Sequence, residues 1–223
     1  MAEQMQAKVT ADNSVPNRSD GDTEDVRCNS RGDVRVVQSL PEITELVRLG
    51  DSWQVKLASG LAALTALPTT TAGLSLYNGE AASSNKCLVI DSFGSSEEVV
   101  DATQTDVTAI YAMMNPSPQT APTATALTFR SLSGRATYGG NARAVTTLTV
   151  VNSGWFPHGT PGAQMAAAAA GANWKVNEVV RPGLYIVPPG AIFSVQAVKA
   201  AAAAAAQQFF FIRWHELYLN FKA

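Results

Sequence analysis

The chain has 223 residues, a charged fraction of 15% and a net charge of −2, which suit one folded domain of about 180 residues with an appendage. Lysine and arginine form no cluster or stripe, so the composition argues against duplex nucleic acid and anionic membranes as partners. No run approaches the roughly 20 apolar residues that span a bilayer, and residues 1–25 lack the apolar core of a secretory signal peptide. We therefore expect a protein made in a cytoplasm, with no nucleic-acid or membrane partner.

Residues 1–40 form a polar arm that differs in composition from the rest of the chain. The segment from Asp12 to Asp25 is rich in turn-forming and acidic residues and almost free of large apolar side chains. Such a segment buries too little surface to offset its ordering entropy. Two interpretations stay open, a disordered tail or an arm that becomes ordered only on a partner subunit. Residues 41–223 are predicted to fold as a single domain.

The elements after the arm are short. Residues 41–48 carry Ile43, Leu46 and Val47 at near-helical spacing, which indicates two turns of helix or an extended connector. From Trp53 apolar and polar residues alternate, which predicts a half-buried strand. Further strand-like runs follow, bounded by Pro, Gly and Asn, at 74–77, 86–93, 108–114, 126–129, 143–151, 174–180, 184–187, 192–198 and 209–221.

These runs, with no long helical pattern among them, predict an all-β fold. A jelly-roll-like antiparallel β-sandwich of two sheets, with an extended N-terminal arm, fits the number of strands best. A parallel α/β fold is disfavoured because no amphipathic helices of 10–15 residues alternate with the strands. The dipeptide Asn78-Gly79 predicts a tight turn, since both residues tolerate positive φ.

The last run, 209–221, is apolar on both of its faces. One face is predicted to carry Phe210, Ile212, Trp214 and Tyr218, and the other Phe209, Phe211, Arg213, His215, Leu217 and Leu219. An outer sheet face in water normally alternates with polar residues, so we expect a homo-oligomer that covers the second apolar face. The alternative is an aromatic core strand with local cover from its own chain. The candidate subunit contacts are Phe209, Phe211, Trp214, Leu217 and Leu219.

No residue pattern in the chain predicts catalysis. His158 and His215 are the only histidines, and no His-x-His or Cys-x-x-Cys pair offers a zinc site. The two cysteines, Cys28 and Cys87, are too few for a disulfide framework and are expected as free thiols, with a single bridge as the alternative. Glycine-rich phosphate-binding motifs are absent. We expect no enzyme activity, no catalytic residue, no metal and no cofactor.

An aromatic pair, Trp155 and Phe156, follows a strand in a loop rich in Gly and Pro. Exposed aromatic rings of this kind stack on sugar rings or on partner surfaces. The pair is therefore a candidate for surface recognition. The alternative is a plug that covers the open end of the sandwich.

Four short segments give the chain a resemblance to a known class of proteins. They are Leu76-Tyr-Asn-Gly-Glu80, Leu88-Val-Ile-Asp91, Gly183-Leu-Tyr-Ile-Val-Pro-Pro-Gly190 and Phe211-Ile-Arg-Trp-His-Glu216. In these strand and turn markers the chain, over residues 55–223, resembles β-rich virion structural proteins of tailed bacteriophages. The resemblance implies a jelly-roll-type fold and a homotrimeric decoration, cement or fibre-base protein on a capsid, in which Trp214, Glu216 and the Pro-Pro-Gly turn are structural.

Three functions follow as hypotheses. The first is a viral structural protein, a capsid decoration protein of the virion, made in the host cytoplasm, with copies of itself and the major capsid protein or another virion protein as partners. The second is a receptor- or carbohydrate-binding module of a phage tail or head fibre, in which Trp155 and Phe156 carry recognition. An enzyme is the third and least favoured hypothesis.

Overall fold

The computed structural model describes residues 42–62, 64–66, 71–99, 108–134, 137–146, 154–158, 175–199 and 207–219. The chain divides into one unit of residues 1–41 and a second unit from Glu42 to Ala223. The predicted arm, 1–40, lies outside the described residues, and its role stays a prediction.

β-Strands are the main secondary structure of the second unit and include 55% of the described residues. Helix α1 spans Glu42–Leu49, and a short 3-10 helix spans Ala82–Ser84. The strands are β1 (Ser52–Lys56), β2 (Leu61–Ala62), β3 (Leu74–Tyr77), β4 (Lys86–Val99), β5 (Thr108–Asn115), β6 (Arg130–Ser131), β7 (Arg143–Val145), β8 (Phe156–Pro157), β9 (Lys175–Val187), β10 (Ile192–Lys199) and β11 (Gln207–Tyr218).

The strands form two antiparallel sheets that pack face to face. The first sheet has the order β6-β1-β11-β4-β9, with β2 also paired to β11, and the second has the order β7-β3-β10-β5-β8. From β3 to β7 and again from β8 to β11, successive strands lie in alternate sheets. The predicted all-β sandwich is confirmed, while the jelly-roll topology stays a prediction.

The core lies between the sheets and is filled by large apolar side chains from both. The largest fully buried residues are Trp214, Phe93, Phe193, Phe210, Leu57, Leu74, Leu76, Leu88, Ile90, Ile110 and Met113. Trp214 is 0% exposed, and its ring meets that of Phe129 edge-on at 4.8 Å between centroids. Strand alternation explains this burial, since Phe210, Ile212 and Trp214 all point inward from β11.

The turn at Asn78-Gly79 is built by a buried side chain and not by positive φ, which neither residue adopts. The Asn78 amide donates hydrogen bonds of 2.9 Å to the carbonyls of Lys86 and Val187. The Asn78 carbonyl accepts a 2.7 Å bond from the amide of Gly190, whose φ is +80°. One asparagine therefore joins the end of β3 to the start of β4, the end of β9 and the turn before β10.

Several element predictions are confirmed and others need correction. Helix α1 occupies the segment read as a helix or a connector, and the runs 174–180 and 184–187 join in the single strand β9. The predicted strand at 126–129 is irregular, because the chain pairs with β1 only from Arg130 onward. Within the predicted run 143–151, Arg143–Val145 form strand β7, and residues 147–151 lie outside the described residues.

We predict that Trp214→Ala lowers the free energy of unfolding by about 3–5 kcal/mol, because it leaves a cavity in a close-packed core. Tyr218→Ala, at a position 75% exposed on the same strand, is the matched control and should change stability by no more than about 0.5 kcal/mol. Chemical denaturation of the two variants measures both effects. Equal losses would contradict the inward packing of Trp214.

Candidate functional site

The first sheet has a second broad face, directed away from the core, which we call the outer face. Its composition follows from the register, because directly paired residues in antiparallel strands point to the same side. One row across β1, β11, β4 and β9 is Gln54, Arg213, Ser92 and Val180, and the next is Lys56, Phe211, Gly94 and Glu178. Aromatic, cationic and aliphatic side chains therefore share the outer face.

Strand β4 contributes small residues, Ser92, Gly94 and Ser96, to the middle of the outer face. A Cβ atom at Gly94 would lie 1.9 Å from the carbonyl oxygen of Asn177, so the close approach of β9 requires glycine there. Arg213 on β11 reaches across β4 and places its Nη1 atom 2.8 Å from Oε1 of Glu178 on β9. The Arg213 side chain is 44% exposed, so this ion pair orients the guanidinium more than it stabilises the fold.

A groove of about 300 Å³ opens on the outer face beside β11. We call it the cationic groove and define it by Lys56, Arg130, Phe209, Phe211 and Arg213. The rest of its lining consists of Val55 and the polar residues Gln54, Ser96 and Thr128, and no Asp or Glu is among the lining residues in the described part of the chain. The guanidinium of Arg213 lies 5.7 Å from the centroid of the Phe211 ring, within the range of a cation–π contact.

The candidate subunit contacts divide between two environments. Phe209 and Phe211 are half-buried in the cationic groove, and Leu217 and Leu219 are half-buried farther along the chain. Trp214 belongs instead to the core of its own chain, where it has no surface to offer a partner. Its inclusion among the subunit contacts is corrected by the alternation of β11, which turns it inward.

A buried histidine–carboxylate pair lies on β11 and β4 and was not anticipated from the sequence. His215 Nδ1 lies 2.8 Å from Oδ1 of Asp91, and both residues are buried. Asp91 is the extra residue of a β-bulge, because the pairing with β11 passes from Ser92 to Ile90 without it. A bulge redirects a side chain, and here it directs the Asp91 carboxylate to His215.

A charged cluster at Lys86 is fully paired and has a structural arrangement. The Lys86 amine lies 2.7 Å from Glu216 and 3.5 Å from Glu80, and the Tyr138 hydroxyl donates a 2.7 Å hydrogen bond to Glu216. Burial alone would lower the pKa of Lys86, but the hydrogen bond and charge of Glu216 raise it. Lys86 is therefore held as a cation, which is the wrong form for a nucleophilic amine or a general base.

The aromatic pair predicted for surface recognition is split by the structure. Trp155 is half-buried against Ala72 and Met113, as a plug would be. Phe156 is 64% exposed on β8, with its ring centroid 5.7 Å from that of His158. His158 Nε2 lies 2.6 Å from the hydroxyl of Tyr185. The exposed part of the site is therefore Phe156 with the His158–Tyr185 pair behind it.

Among the described residues, no three His, Cys, Asp or Glu side chains lie together as metal ligands, and no helix is long and apolar enough to cross a membrane. Cys87 is a buried free thiol whose pKa is raised by burial. Comparisons with protein-family models, curated proteins and solved structures gave no match.

We predict a pH dependence of stability that comes from His158. Burial, with a smaller effect from the charge of Arg181, lowers the pKa of His158 from its ordinary value of 6.5. Below that pH the unfolded chain binds more protons than the folded one, so the folded state loses stability as the pH falls. The unfolding free energy of the wild type, relative to His158→Gln, should decrease between about pH 7.5 and pH 5.5. A constant difference would contradict the lowered pKa.

Proposed function

We propose that this protein is a non-enzymatic structural component of a virus particle, of the capsid decoration type found in tailed bacteriophages. Its partners are copies of itself, favoured as a homotrimer, and the major capsid protein or another virion protein. We propose no nucleic-acid partner, no membrane partner and no cofactor. The β-sandwich and the strand and turn markers of the sequence support it.

The observation that carries the proposal is the exposed apolar surface of strand β9, at the edge of the first sheet. Val176 is 63% exposed, Val180 is 61% exposed and Leu184 is 53% exposed. Val176 and Val180 flank Glu178 on the outer face. Solvated sheet faces normally present polar residues, and grouped exposed apolar side chains are typical of protein–protein contacts. An edge strand also offers unpaired backbone groups to a neighbour.

Strand β9 and the cationic groove lie on the same outer face, separated by the small residues of β4. A partner that covers this face would therefore meet aliphatic side chains on one side of β4 and aromatic and cationic side chains on the other. We propose that this face docks on the particle, and that the arm, residues 1–40, adds contacts to a neighbouring subunit.

The direct test is to purify virus particles on a density gradient from the culture in which the chain is made. We expect the full-length protein to co-sediment with the particles, and free protein to have three times the 23.5 kDa mass of the chain by light scattering. The variant Val176→Glu/Val180→Glu should remain folded, because both positions are exposed. It should no longer co-sediment with the particles. Protein that is absent from purified particles would contradict the proposal.

The second candidate function, a receptor- or carbohydrate-binding module, is favoured by the exposed ring of Phe156. An aromatic ring in water with polar groups beside it, here the His158–Tyr185 pair, is the common arrangement for stacking on a sugar.

If this function is correct, Phe156→Ala should abolish binding on a glycan array or to host cells. Trp155→Ala should act mainly on stability, because Trp155 is half-buried against Ala72 and Met113. Binding that persists in the double variant Trp155→Ala/Phe156→Ala would exclude both residues from recognition.

A further inference from the structure

We propose that the cationic groove binds an acidic, extended segment of a partner polypeptide. This inference names the chemistry of the partner and rests on the proposed function, in which the outer face is a docking surface. It is carried by three features of the groove: its charge, an open strand edge and the placement of its aromatic rings.

The charge of the groove is one-sided. Lys56, Arg130 and Arg213 line it, and no carboxylate is among its lining residues in the described part of the chain. Arg213 is paired with Glu178, whereas Lys56 and Arg130 form no ion pair within the described ranges. The whole chain is slightly acidic, with a net charge of −2, so this concentration of positive charge is local. Carboxylates are the groups that such a site attracts.

The open strand edge favours a polypeptide over other anions. Main-chain bonds from Leu57 to Phe210 and from Glu216 to Asp51 fix which residues of β1 pair with β11. The intervening residues, Ser52, Gln54 and Lys56, therefore direct their backbone groups to the opposite side, where Ser52 accepts a 3.0 Å bond from Leu132. The β1–β6 ladder includes only Trp53 and Gln54, so Lys56 has no backbone partner on that side among the described residues.

The unpaired backbone position at Lys56 lies at the cationic groove. Lys56 lines the groove together with the two residues that precede it, Gln54 and Val55. Thr128, two residues before Arg130 on the chain that leads into β6, also lines the groove. An extended peptide presents alternating N–H and C=O groups that match an open strand edge, which neither a sugar chain nor a nucleic acid does.

The two aromatic rings of the cationic groove offer apolar contact surface more than an accessible ring face for stacking. Phe209 and Phe211 are half-buried, and the guanidinium of Arg213 lies over the Phe211 ring. Nucleic-acid bases and sugars need an accessible ring face, whereas apolar side chains pack against ring edges as well. We therefore infer a partner segment in which acidic and apolar residues are interspersed.

The test measures binding of a fluorescent Glu-Val-Glu-Val-Glu-Val peptide to the full-length protein by fluorescence anisotropy. We expect Lys56→Glu and Arg130→Glu each to weaken binding by about tenfold, and added salt to weaken binding to the wild type. Arg143→Glu makes the same charge change on β7 of the second sheet and is the matched control, with no effect expected. Circular dichroism verifies that each variant is folded.

Four outcomes would overturn the inference, and the last of them separates it from the proposed function. The first is peptide binding that is unchanged in Lys56→Glu and Arg130→Glu, and the second is equal binding of the matched Gln-Val peptide. The third is tighter binding of oligothymidylate or polygalacturonate than of the acidic peptide through the same residues, which would assign the groove to a nucleic acid or an acidic glycan. Failed peptide binding in a protein that still co-sediments with particles would reject this inference alone and leave the proposed function standing.

Discussion

The pairing of β11 on both of its sides is the constraint on which the rest of this structure depends. The strand lies between β1 and β4 and also pairs with β2, so its register determines that of every strand in the middle of the first sheet. Because its residues alternate, the same register sends Phe210, Ile212 and Trp214 into the core and leaves Phe211 and Arg213 on the outer face. Stability and surface chemistry are therefore specified by neighbouring residues of a single strand.

The neighbouring strand β4 determines the shape of the outer face. Its small residues keep the middle of that face low, so that Arg213 can reach Glu178 two strands away. A bulky residue at Gly94 would both clash with the backbone of β9 and fill the space between the aromatic and aliphatic parts of the face. The division of the outer face into a cationic groove and an aliphatic edge thus depends on residues that bind nothing themselves.

The sequence was sufficient to predict the fold class but not the site. Alternation of apolar residues revealed most strands, because a half-buried strand imposes a period of two, and the doubly apolar character of β11 pointed to the outer face. The groove joins Lys56, Arg130 and Arg213, which are far apart in the chain and meet only through the register of β1 with β6 and β11. The misassigned role of Trp214 has a related cause: on a strand with two apolar faces, composition alone does not decide which face is inward.

The buried turn at Asn78 has a consequence for the chemical ageing of the protein. Asparagine followed by glycine is the dipeptide most prone to deamidation, which requires the glycine nitrogen to attack the side-chain carbonyl carbon. Here the amide of Asn78 is held by two carbonyls, and Gly79 is so closely packed that an added Cβ would lie 2.3 Å from the carbonyl oxygen of Asn141. The fold thus protects the side-chain amide of Asn78, which is labile once the chain unfolds. Molecules with aspartate at position 78 would be those that had unfolded at this turn during their lifetime. The buried charge of the aspartate would hinder their return to the native state.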